Sequence, residues 1–322
     1  MSHNLLKSLR LSIFLLQLTV AFTTCRAAAA TTSGDSPPWP VTLRSQIAQL
    51  TDVSFRIGRN AARQCPATFA GTGLSLDYIQ AYDKADRTAV AELLGMTDRP
   101  QVAAVAADSP ARLADVRPGD AIVTIDGTDV IDLLATSAEP SLFADTLEQR
   151  LAETPEGVPV KLELLRDGIM IDANIAPVRV CAVRVVIKTD KTIEGYTDGH
   201  NIAISSGLIK FSQNASELAL FVGHEMAHVI HRDGKARNLK ERRQMEDRAD
   251  ITGANLMSCA GYDLEAGLGF WTRFSARDWL GWARAPTHRS PTKRVALMRQ
   301  ATSTFTCSNS SPSTEVNNPP VR

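Results

Sequence analysis

The stretch Phe221 to Gly234, FVGHEMAHVIHRDG, limits what this chain can fold into more than any other part of it. Leu218, Phe221, Val222, Met226, Val229 and Ile230 make the segment apolar on most sides, the pattern of a helix buried in a core. The same segment carries His224, Glu225 and His228. Burying two imidazoles and a carboxylate without partners costs several kcal/mol, so the fold must supply a partner. His224 and His228 are four residues apart and share one helix face, the spacing needed for two-point capture of a tetrahedral metal ion. With six histidines and thirteen glutamates in 322 residues, chance would produce a His-Glu-x-x-His roughly 0.005 times.

Asn214 followed three residues later by Glu217 marks the start of that helix. Two imidazoles leave an ion short of ligands, and the next helical stretch, Lys235 to Cys259, contains Glu246-Asp247-Arg248-Ala249-Asp250. Glu246 is the candidate third donor, which leaves one position for water. The expected cofactor is one Zn2+ per chain.

The first thirty residues read as a secretory signal peptide: Lys7 and Arg10 precede the apolar run Leu11 to Phe22, and Ala27 to Ala30 form a small-residue cleavage site. Phe22-Thr23-Thr24 lacks the small residue that lipidation of Cys25 would need. The expected location is periplasmic or secreted, with no membrane span after cleavage. Setting aside residues 1–30 removes Lys7, Arg10 and Arg26 and no acid, leaving 32 bases against 35 acids. That balance offers no field for nucleic acid. Cys65, Cys181, Cys259 and Cys307 remain, an even number in an oxidising compartment. Three pairings are open, and no Cys-x-x-Cys argues for a cysteine metal site.

Between a Pro/Ser-rich leader and a polar tail at 308–322, the chain divides by pattern. Residues 31–93 are an N-terminal helical segment packing on the domain that holds the histidine helix, with helices expected over 43–63 and 77–94. Residues 94–178 turn to short alternating runs separated by Pro118-Gly119-Asp120, Asp126-Gly127 and Asp167-Gly168, a β-rich module. Residues 179–307 hold the histidine helix.

Two resemblances follow from these residues. DSPARLADVRPGDAIVTIDGTDV, Asp108 to Val130, resembles the PDZ domains of exported bacterial proteases, with Asp115 standing where the family has glycine. That implies strand addition of a peptide C-terminus at a sheet edge, the carboxylate held by the loop Leu94-Gly95-Met96. HEMAH, Glu246 to Asp250 and Asn201 to Leu208 resemble the HtpX-like, CaaX-prenyl-protease-type zinc metallopeptidases, which are gluzincins. The implied fold is α+β: a mainly helical peptidase domain with a small edge-exposed sheet, plus the PDZ-like domain.

The resemblance implies His224, His228 and Glu246 as ligands and Glu225 as general base, with Asp250 orienting a ligand histidine. His288 is the candidate for holding the developing oxyanion, with Arg294 as its companion. Asn201, Ile202, Ala203 and Ile204 would form the edge strand that pairs with a substrate backbone. The implied function is an exported zinc endopeptidase acting on unfolded or misassembled envelope proteins. The alternative is a holdase or adaptor that works through the PDZ-like module with a dormant metal site.

Overall fold

The computed structural model describes residues 36–277 and 287–307. The expected signal peptide, Cys25 and the tail at 308–322 lie outside those residues. The described chain is mixed helix and sheet.

Helix α1, Trp39–Ala61, starts with a proline in its first turn and buries Leu50, Val53, Ile57 and Ala61, one stripe at helical spacing. These side chains join the core of the half that carries the histidine helix, while Phe55 packs with Ala106 and Val180 beside the β-rich module. One helix thus serves two cores. Strand β1, Thr68–Gly71, follows and pairs antiparallel with β8, Val178–Cys181. A disulfide joins Cys65 to Cys181 across this seam.

The β-rich module comprises β2 (Leu74–Asp77), α2 (Arg87–Leu94), β3 (Gln101–Val105), α3 (Pro110–Leu113), β4 (Ala121–Ile125) and β5 (Thr128–Asp129). It continues with α4 (Val130–Ala135), α5 (Phe143–Ala152), β6 (Val160–Arg166) and β7 (Ile169–Ile175). Its sheet runs β2-β3-β4-β6-β7, with β5 hairpinned on β4. The sheet therefore reaches upstream of residue 94, and the helix expected from Asp77 forms only from Arg87. Leu74-Ser75-Leu76-Asp77 is too short for its alternation to register in sequence; pairing with β3 is what makes it a strand. Asp115 adopts φ 58, the left-handed conformation that its short side chain tolerates. The module has its own hydrophobic core, from Val102 through Ile122, Phe143 and Leu162 to Ile175.

The half that carries the histidine helix begins with β9 (Arg184–Lys188), β10 (Gly195–Thr197) and β11 (Asn201–Ser205), ordered β10-β11-β9. Helices α6 (Ser206–Phe211), α7 (Ala215–His231), α8 (Leu239–Cys259) and α9 (Leu264–Arg277) follow. A last helix, α10 (Pro291–Thr302), packs on α8 and α9, and Cys259–Cys307 ties the chain beyond it to the end of α8. The two disulfides fit an oxidising compartment. Among the described residues no helix is long and apolar enough to cross a membrane.

Helix α7 is capped by Asn214, whose Oδ1 accepts the Glu217 N–H at 3.0 Å, while Glu217 reaches back to accept the Gln213 N–H at 2.9 Å. It crosses α8 at backbone contact, because Gly223 and Gly253 face each other. A Cβ at Gly223 would lie 2.7 Å from Gly253 O, and one at Gly253 would lie 2.6 Å from His224 N. That close crossing brings the histidine face of α7 against the acidic face of α8.

Candidate active site

His224 and His228 on α7 and Glu246 on α8 are all buried, at 7%, 8% and 2% exposure, and their donor atoms converge. His224 Nε2 and His228 Nε2 are 3.2 Å apart, and Glu246 Oε2 lies 3.3 and 3.6 Å from them. Ligands about 2.0–2.1 Å from a tetrahedral zinc stand about 3.3–3.4 Å from one another, so the three donors are spaced for such an ion. One further oxygen of the set, Glu246 Oε1, is buried without a hydrogen bond, although Arg242 Nε one turn away pairs with it at 2.8 Å.

Both imidazoles are held from behind. His224 Nδ1 donates to Asp250 Oδ1 at 3.0 Å, and His228 Nδ1 donates to Asp233 Oδ2 at 2.8 Å. A hydrogen on each Nδ1 leaves each Nε2 lone pair aimed at the common centre. The carboxylates are anchored in turn: Arg294 on α10 forks onto Asp250, with Nε 2.7 Å from Oδ2, and Arg248 pairs with Asp233. The Arg294 guanidinium also lies 4.0 Å over the Trp271 ring.

Electrostatics follow from this wiring. Burial pulls the His224 imidazole down, but Asp250 and Glu246 override it and push it up to about 9. Burial would raise the Glu246 carboxyl, yet the three histidines 224, 228 and 288 hold it well below the usual range. Asp250 is likewise raised by burial and carried below its ordinary value by Arg294 and His224. A bound cation would replace the proton that such a site otherwise attracts.

Asp233 carries no signal as a motif in sequence. The chain turns at Arg232, φ 52, so that the Asp233 N–H donates to His228 O at 2.9 Å and its side chain folds back onto the same residue's ring. An acid five residues after the second histidine, just past a helix end, was the available clue.

His288 stands at the site, but on a ligand: its Nε2 is 2.7 Å from Glu246 Oε2, and it is not one of the three mutually close donors. Arg294 serves Asp250 rather than His288, whose Nδ1 meets Thr287 Oγ1 at 3.0 Å. Glu225 lies beside His224 and is 7% exposed.

Two expectations need correction. Asn201 to Ile204 do not offer a free edge: β11 is paired on both sides, antiparallel to β10 and parallel to β9, and Ile202 and Ile204 are fully buried in the core. Their apolar alternation reports core packing, and the terminal strands of this sheet are β9 and β10, with Tyr196 of β10 half exposed. The Leu94-Gly95-Met96 loop is a helix end instead of a carboxylate cradle. Gly95 caps α2 at φ 62, the Met96 N–H donates to Ala91 O at 3.1 Å, and β3 after it is paired by β2 and β4. β2 ends the sheet on that side, and its Leu76 N–H already donates to Glu148 Oε1 of α5 at 2.7 Å.

Residues 169–240 match the model of Peptidase family M48, a stretch that includes His224, Glu225 and His228 and stops before Glu246. The match supports a metallopeptidase, hence a protease with peptide or protein substrates. No curated protein matches the chain. One solved structure, an HtrA-type protease AlgW with decapeptide, is 24% identical over 35% of this chain, with a TM-score of 0.26, too low to carry an argument. The aligned part spans 30% of that protein's length.

Proposed function

We propose that the protein is an exported zinc-dependent endopeptidase that cleaves unfolded or misassembled envelope proteins. The observation that carries this reading is the convergence of His224 Nε2, His228 Nε2 and Glu246 Oε2 in a buried cluster, each imidazole fixed by its own carboxylate. The reading as an exported protein rests on the leader at residues 1–30 and the two disulfides.

When bound, zinc supplies a Lewis acid that polarises a carbonyl and makes water acidic near neutral pH. Glu225 then acts as general base, taking a proton from the attacking water and passing it to the departing amine. Asp250 and Asp233 keep both ligand imidazoles in the tautomer that presents Nε2. His288 donates a hydrogen bond to Glu246 and so holds that carboxylate on the centre. An extended substrate adds to the free edge of β10, main chain to main chain, beside Glu225. Strand addition to the β-rich module at β2 requires the Leu76 N–H to exchange the Glu148 carboxylate for a peptide carbonyl.

Metal analysis of the purified chain and of His228→Ala, with cleavage of a denatured protein followed in both, tests the reading. One zinc per chain and nested internal fragments are expected from the parent, with metal and cleavage both lost in the variant. Cleavage that survives in Glu225→Gln at the parent rate would overturn Glu225 as the base, whereas a parent that binds zinc and cleaves nothing would leave the holdase reading in place of hydrolysis.

A further inference from the structure

Every buried acid at the centre except Glu225 has a polar anchor. Asp250 has Arg294 and His224, Asp233 has Arg248 and His228, and Glu246 has Arg242 and His288. The Glu225 carboxylate accepts no hydrogen bond from any of the described residues. Beside it lies β10. A Cβ built on Gly195 would lie 3.2 Å from Glu225 Oε1, 3.4 Å from Glu225 Cγ and 3.2 Å from Ile204 Cδ1. The side chain of the base therefore rests against a bare Cα.

Gly195 cannot retreat to make room. It pairs in register with Ile204, which is fully buried in the core. The residue before it is clamped twice by Ser205, whose N–H donates to Glu194 O at 3.0 Å and whose Oγ accepts the Glu194 N–H at 3.1 Å. The same Oγ donates to Thr192 O at 2.7 Å, and Gly207 lets the 191–192 backbone press onto α6. Gly195 is not among the glycines with positive φ, so space, not backbone freedom, is what its position requires. A methyl added there meets a fixed strand on one side and an unanchored carboxylate on the other.

We infer that Gly195 is a positioning residue for the general base: the missing side chain on the edge strand creates the seat in which the Glu225 carboxylate lies. The inference rests on Glu225 being the base. It identifies the edge strand as the part of the fold that aims the base, alongside any role in pairing with substrate.

The test compares Gly195→Ala, Gly195→Ala with Ile204→Val, and Gly195→Ala in the Glu225→Gln background, each measured for zinc content, kcat and KM on a denatured protein. Displacing the base by a few tenths of an ångström is expected to lower kcat about tenfold, with zinc retained and KM little changed. Removing Ile204 Cδ1 gives the methyl room on the other side, so the double variant should recover part of kcat relative to Ile204→Val alone. In the Glu225→Gln background the residual rate should not fall further, because the group that the methyl displaces is already disabled. Parent-level kcat in Gly195→Ala overturns the inference, as does a loss confined to KM or one that persists in full with Glu225→Gln. Should Gly195→Ala fail to fold, the Ile204→Val pair decides by the same comparison. A parent protein that binds zinc and cleaves nothing would sink the peptidase reading instead, an outcome separate from these.

Discussion

Asp250 on α8 and Glu148 on α5 are both carboxylates set against packed backbone, one at the histidine cluster and one in the β-rich module, and burial pushes both upward. They end on opposite sides of their ordinary values. Asp250 faces the Arg294 guanidinium and the His224 ring and is carried below the usual carboxylate range. Glu148 has only the Leu76 N–H at 2.7 Å and Ser75 Oγ at 3.3 Å, while nearby Arg184 pairs with Asp145, and burial wins, pushing it up to about 7. The comparison teaches that in this molecule a cation partner, more than depth, decides which buried acid stays charged. The catalytic half supplies those cations from several elements; the module does not supply one to Glu148.

Breaking the better-anchored member should have the largest effect. Asp250→Ala leaves Arg294 buried without its partner and frees the His224 ring, with an expected loss of about 3–5 kcal/mol of stability. Zinc affinity should drop about 10–100-fold with the orienting carboxylate gone. Denaturant unfolding and competition with a chelator measure the two effects separately; unchanged zinc affinity would show that the ring is held by something else. A smaller loss is expected where the comparison depends on helix placement. Gly223→Ala puts a methyl 2.7 Å from Gly253 O, so α7 and α8 must part, at about 1–3 kcal/mol. Because the ligand Glu246 and the anchor Asp250 both move with α8, the variant should also bind zinc more weakly, which the same chelator titration reads.

Sequence carried the ligand geometry because that geometry is local: His224 and His228 stand one helical turn apart, and Glu246 and Asp250 repeat the spacing on the next helix. It did not carry what depends on chain reversal or sheet order. Asp233 reaches His228 only because Arg232 turns left-handed. Ile202 and Ile204 read as an exposed edge, since alternation says which residues share a face and not whether a strand has neighbours on both sides. Gly195-Tyr196-Thr197, an edge strand in fact, is three residues long with no hydrophobic pattern. Leu74 to Asp77 failed for the same reason, and with it the start of the module. The turn chemistry was more legible: Asp115, Asp126 and Asp167 all take left-handed conformations at the turns that separate the module's runs.

The smallest predicted effect tests the weaker member of the pair. A carboxyl whose folded value is raised binds its proton more tightly in the native state than in the unfolded chain. The contribution of Glu148 to native stability is therefore fullest below the ordinary carboxylate value of 4.5 and declines as pH rises toward about 7, where the folded Glu148 finally ionises. Asp145, itself raised by burial, adds like charge one helical turn away, while Arg184 opposes it. Glu148 is only partly shielded from solvent, so the full shift overstates the effect, and about 1–2 kcal/mol is expected across that window. Glu148→Gln keeps an oxygen for the Leu76 N–H and has no proton to lose. Denaturant midpoints of the parent should fall between pH 5 and 7.5 relative to those of the variant, with the gap closing below pH 4.5. Parallel curves over that range would mean that the hydrogen bond to β2 stabilises the carboxylate as well as a cation would, and the contrast with Asp250 would then reduce to geometry.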